Sequence, residues 1–273
     1  MPPQGSEIKV ARAKEHLDAL DKCLQKFVDD HPVTLSIEPN PRPPHYVAIA
    51  HGYVAPDPSF GALIGDFAHN ARSALDLLIQ SLSKLSPGDP ARFRLEFPIC
   101  DLEVGGDNSY RSRESRELSG VGTNERATIE GFQPYQLGSN FRDDLLGILG
   151  EVNNADKHRL IHVVGSVGQA EVKFYGPANL GAIVLEGEMS DVTLVNTTIR
   201  GFPDFGIEWI NRGVITKDMA MVASITSQQA VKMEPKVTPQ MQFGEGSERA
   251  QGRPLGDTLV AILDRVEEVL GKF

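Results

Sequence analysis

Two short stretches hold most of the side chains that could do chemistry together. "HNARSALD", residues 69–76, offers an imidazole (His69), an amide (Asn70), a guanidinium (Arg72) and a carboxylate (Asp76). "NNADKHR", residues 153–159, adds Asn153, Asp156, Lys157, His158 and Arg159. Such groups serve proton transfer, anion recognition or structural ion pairing. Which of these applies depends on which side chains face inward, and so on the elements that carry them.

Both stretches fall on helical patterns. Residues 60–85 form the strongest one, with Ser59 as N-cap after Pro58 and Pro87-Gly88 as the stop. At about 100° per residue, Ile64, Phe67, Ala68, Ala71, Ala74, Leu75, Leu78, Ile79 and Leu82 make its apolar face. His69, Ser73, Asp76 and Gln80 form a polar stripe opposite, with Arg72 beside them and Asn70 on the rim. The second helix runs over about 140–160. Its apolar arc is Phe141, Leu145, Ile148, Leu149, Val152 and Leu160. Asp156 projects near the centre of that arc, Arg159 near its edge and Asn153 on a flank, while His158 points away.

A carboxylate on a buried face is costly unless it is paired. Asp156 is therefore expected to meet a guanidinium, from Arg159 or from Arg72 on the other helix. The sequence predicts a polar and ionic network between the two helices, with His69, Asn70 and Asp76 extending it. Such a network could also hold a small polar or anionic ligand, or a protein partner.

Other chemistries find little support. A metal site needs three or four converging ligands, and on one helix Asp156 and His158 point about 200° apart. No cofactor is expected: there is no GxxxxGK and no GxGxxG after a strand. No GxSxG surrounds a serine, and Cys100 sits in loop-like sequence. "RSRESRE", residues 111–117, reads as a solvated loop whose glutamates offset its arginines.

The remaining elements set the fold class. Residues 7–28 pattern as an amphipathic helix ended near Pro32, 124–131 as a short helix, and 254–272 as a closing helix with Leu255, Leu259, Ile262, Leu263, Val266 and Leu270 on its apolar stripe. "VTLSIE" and "YVAIAHGYV" read as strands joined by the proline-rich "PNPRPPH". From 161 to 243 the texture is β-rich, with strands at "VKFYG", "AIVLEGE", "DVTLVNTTI", "MAMVASI" and "KVTPQMQF". Helices and strands are segregated, which favours α+β over a doubly wound sheet. The expected fold is a bundle of about four helices packed with one mostly antiparallel β-sheet, as a single domain over 1–273.

Bulk composition narrows the class further. With 37 acidic against 27 basic side chains the net charge is −10, which disfavours general nucleic-acid binding. Two lone cysteines suit a reducing compartment, and no long apolar run or secretory leader is evident. The expectation is a cytoplasmic protein with no membrane span.

"GDFAHNARSALDLL" and "NNADKHRL" together resemble the paired motifs of an uncharacterised family of bacteria and their phages. Its members carry a His-Asn-x-Arg-Ser-Ala-Leu-Asp helix and an Asn-x-x-Asp-Lys-His-Arg helix end. The resemblance extends over most of the chain and implies an α+β protein without assigning an activity. It singles out the same residues, from His69 to Arg159. A looser resemblance is to HEPN helical bundles, many of which are defence ribonucleases. The alternative expectation is a nuclease or hydrolase related to these defence enzymes, with His69 and His158 as acid–base groups. The chain departs from them at the catalytic motif: none of the seven histidines is preceded by an arginine with four to six residues between them.

Overall fold

The computed structural model describes the chain except residues 1–2, 41–45, 159–160, 176–182, 189–193, 200–201, 210–213, 216–219 and 227–231. Side chains are described outside these and outside 158, 166–214 and 220–239. Most of the proline-rich connector, Arg159, Leu160 and the side chains of His158 and Trp209 thus lie outside the described residues.

The described elements are six α-helices and nine strands. The helices are α1 (Gln4–Asp30), α2 (Ser59–Leu82), α3 (Tyr110–Glu117), α4 (Thr123–Glu130), α5 (Leu145–His158) and α6 (Leu255–Leu270). The strands are β1 (Thr34–Pro39), β2 (Tyr46–His51), β3 (Val163–Tyr175), β4 (Ile183–Glu188), β5 (Leu194–Ile199), β6 (Phe202–Trp209), β7 (Val214–Ile215), β8 (Ala220–Thr226) and β9 (Lys232–Phe243). The fold is mixed α+β. The expected single sheet is instead two antiparallel ones, because β3 and β9 pair along almost their whole length and β1–β2 extend a different set.

The chain divides into two compact units. Unit 1 comprises Met1–Lys22, Pro58–His162 and Gly244–Phe273, and unit 2 comprises Cys23–Asp57 and Val163–Phe243. Unit 2 holds both sheets. One runs β1-β2-β8-β6-β5; in the other, β3 pairs with β4, β7 and β9. Strand β2 meets β8 with a register shift at Ala48/Ile49, so residues far apart in sequence close the sheet.

Unit 1 is built on α2, α5 and α6, which pack pairwise. The apolar face of α2 behaves as its periodicity predicts: Ile64, Phe67, Leu75 and Leu78 are fully buried. They meet a core that includes Ile148, Leu149 and Val152 of α5 and Leu259, Ile262 and Val266 of α6. Each such side chain contributes about 1.5–3 kcal/mol by leaving water. Helix α1 is tied to α2 by the Ser6 hydroxyl, which donates to the Ala74 carbonyl at 2.8 Å, and by Lys9, which donates to Asn70 Oδ1 at 3.1 Å.

Three local expectations change. Ser59 is the first helical residue, and Pro58, not a serine side chain, occupies the cap position. Phe141 belongs to a 3₁₀ stretch, Pro134–Asp143, and α5 starts only at Leu145. "RSRESRE" is not a loop: it forms most of α3, with Glu117 buried.

Candidate functional site

The two motif helices meet through glycine. Gly61 and Gly65 lie one turn apart on α2, and both are buried. A methyl group at Gly65 would collide with the Asp156 carboxylate, and one at Gly61 with the Ile161 backbone. Removing both Cβ atoms lets the end of α5 lie directly on the α2 backbone. Asp156 therefore turns inward, half-buried, as its helical phase predicts. It does not meet Arg72, and no ion pair of Asp156 is seen among the described residues.

Arg72 is engaged elsewhere. Its side chain is 13% exposed, and its Nη2 lies 3.0 Å from Asp76 Oδ1, one turn along the same helix, and 3.9 Å from Glu96. Nη2 also donates to the Phe97 carbonyl. The same Asp76 oxygen accepts from the Phe97 N–H at 2.9 Å. Burial pushes the Asp76 carboxyl upward from its ordinary range, against the pull of Arg72. Further along α2, Gln80 donates to the Arg92 and Leu95 carbonyls at 3.0 and 3.1 Å. The Asp76 and Gln80 end of the polar stripe thus faces the 92–97 segment, while His69 is exposed.

Two more arginines complete the surround. Arg113 of α3 grips buried Glu117 through Nε, 2.8 Å from both carboxylate oxygens, and reaches Glu96 at 3.2 Å and the Ile99 carbonyl at 3.1 Å. Arg249 pairs with Asp101 at 2.5 Å and Glu151 at 3.5 Å, and lies 5.6 Å from the Phe141 ring centroid.

These groups line a cleft of about 510 Å³ within unit 1. From α2 it takes His69, Arg72, Ser73 and Asp76; from α5 it takes Glu151, Asn153, Asn154 and Lys157. Five sequence-predicted site residues therefore share one cavity: His69, Arg72, Asp76, Asn153 and Lys157. Asn70 does not line it; its amide donates to the Asp66 carbonyl at 2.8 Å and accepts from Lys9. Asp156 lies against Gly65 instead. The side chains of His158 and Arg159 lie outside the described residues.

Sequence reasoning missed Arg113, Arg249, Glu96 and the two glycines. "GALIG", with small residues four apart at the start of an apolar helix, was the available signal for the last. Among the described residues no group of three or more His, Cys, Asp or Glu is placed to hold a metal ion. No helix among them is long and apolar enough to cross a membrane.

Within the cleft Asn153 differs from its neighbours. It is only 6% exposed, yet its amide has no hydrogen-bond partner among the described residues. Its amide atoms open into the cleft and are not sealed from solvent, so they are available to a ligand. The exposed His69 and Lys157 likewise carry no ion pair among the described residues.

No family model matches the chain, and neither does any curated protein or solved structure.

Proposed function

We propose that the α2–α5 cleft is a binding site for a small polar ligand, and that the protein works as a binder. One observation carries this reading: donor groups of both motif helices, His69 and Arg72 from α2 and Asn153 and Lys157 from α5, line one cavity, and the Asn153 amide opens into it without a partner among the described residues. The volume, about 510 Å³, suits a small metabolite. The surrounding Arg72–Asp76, Arg113–Glu117 and Arg249–Asp101 pairs hold the walls in place. Their role is preorganisation, since a site whose polar groups are fixed before binding loses less entropy on binding.

A thermal-shift screen of sugars, amino acids, carboxylates and phosphate esters tests the proposal. A ligand present at a hundred times its dissociation constant stabilises the folded state by about 2.7 kcal/mol. At least one class should raise the melting temperature, and Asn153→Leu should abolish the effect. A null screen, or a shift that survives Asn153→Leu, contradicts the proposal.

A further inference from the structure

We infer that the ligand of this cleft carries an oxyanion, a carboxylate or a phosphate, seated between Arg72 and His69 of α2 and Asn153 and Lys157 of α5. The inference rests on the binding reading above and fixes the sign of the ligand's charge.

The argument follows which groups are already engaged. Each acid lining the cleft is held by an arginine. Asp76 lies 3.0 Å from Arg72, Glu96 3.2 Å from Arg113, Asp101 2.5 Å from Arg249, and Glu151 3.5 Å from Arg249. A cationic ligand would have to displace a guanidinium from its carboxylate. The donors are placed differently. Every described bond and ion pair of Arg72 leaves from Nη2. Its Nε and Nη1 hydrogens, in a side chain 13% exposed, have no partner among the described residues. A guanidinium has five donors in a fixed fork, and the free edge of that fork suits a carboxylate or phosphate. Lys157 has no acidic partner among the described residues, and it sits one helical turn from Asn153. The amide N–H₂ of Asn153 is a neutral donor that opens into the cleft with no partner among the described residues. His69 adds a ring nitrogen from the opposite helix. Uncommitted donors thus come from both helices, while each lining acid already has an arginine partner. Four acids are balanced by Arg72, Arg113, Lys157 and Arg249, so the lining does not share the chain's net charge of −10.

Isothermal titration calorimetry of the full chain tests the assignment. The probes are succinate, inorganic phosphate and a phosphate monoester, against glucose as neutral control and agmatine as cationic control. The two oxyanion arms separate a carboxylate ligand from a phosphate one. The wild type should bind at least one oxyanion, with at least tenfold weaker binding in Asn153→Asp, which sets a negative charge into the seat at nearly constant shape. Lys157→Gln, an exposed position, should weaken it too, and carries the test if circular dichroism shows Asn153→Asp misfolded. Binding of glucose or agmatine alone, lost in Asn153→Leu, overturns the oxyanion assignment and leaves the binding cleft standing. Oxyanion binding equal in wild type and both variants overturns the seat. No binding by any probe, together with a null thermal screen, overturns both readings.

Discussion

The carboxylate of Asp156 and the backbone of Gly65 are in such close contact that no side chain fits between them. In an ordinary helix interior, Gly→Ala gains about 0.5–1 kcal/mol. Here Gly65→Ala should instead lower stability by about 1–3 kcal/mol through overpacking. The double variant Gly65→Ala/Asp156→Ala should regain most of the loss in chemical denaturation. An equal loss in both backgrounds would show that the contact is absent. A second residue-scale expectation concerns Glu117, 2% exposed and gripped by Arg113. Arg113→Ala should cost about 3 kcal/mol, because a buried acid loses its main partner. Arg113→Lys should restore only part, since an ammonium cannot match the guanidinium fork; full restoration would contradict the geometry. At this scale the sequence showed direction but not neighbours. Helical phase turned Asp156 inward, yet it could not show that Gly65 rather than Arg72 receives it. The true partner of Arg72 was in plain view, since Asp76 lies four residues on, where helical side chains meet.

Among the elements, α5 depends on its first residues. Asp144 precedes it and accepts from the Gly147 N–H at 2.8 Å, acting as a cap. Burial raises its carboxyl above the ordinary 3.8, more than the Gly147 bond lowers it. A raised acid contributes stability that is full below 3.8 and is lost as pH rises through the folded-state value, because the native state there holds the extra proton. Asp144→Asn keeps the acceptor and removes the titration. Its melting temperature relative to wild type should rise as pH climbs above 3.8 and level off once the native carboxyl is ionised. A constant or falling difference would contradict this. The long helices α1, α2 and α6 were legible because their apolar residues recur at helical spacing over many turns. Helix α3 was not: eight mostly charged residues carry no stripe, its inside is only Tyr110 and Glu117, and Arg113, which holds Glu117 one turn on, ties the helix to Glu96 and the Ile99 carbonyl. Strands β6 and β7 were missed as well; β7 spans two residues, too few for any alternation to register.

For the whole molecule, unit 1 is assembled from three separate chain segments. Its last segment supplies α6, whose Leu259, Ile262 and Val266 are fully buried. Deleting residues 244–273 should therefore remove the main cooperative transition of unit 1 in a thermal melt, rather than trim a tail. A sharp transition retained at the wild-type temperature would show that α6 is peripheral. The class α+β was readable from segregated helical and alternating patterns, but the split into two sheets was not. Strand pairing between β2 and β8 joins residues about 170 apart, and no local pattern encodes such a partner.

The claim that organises these scales is that α2 and α5 frame a seat for an oxyanion. The side-chain amide signal of Asn153 in ¹⁵N-labelled protein reports on it most directly, assigned by its loss in Asn153→Asp. Titration with succinate or phosphate should shift that signal saturably and leave the Asn70 amide, outside the cleft, in place. An Asn153 amide that stays still throughout the titration would contradict the account.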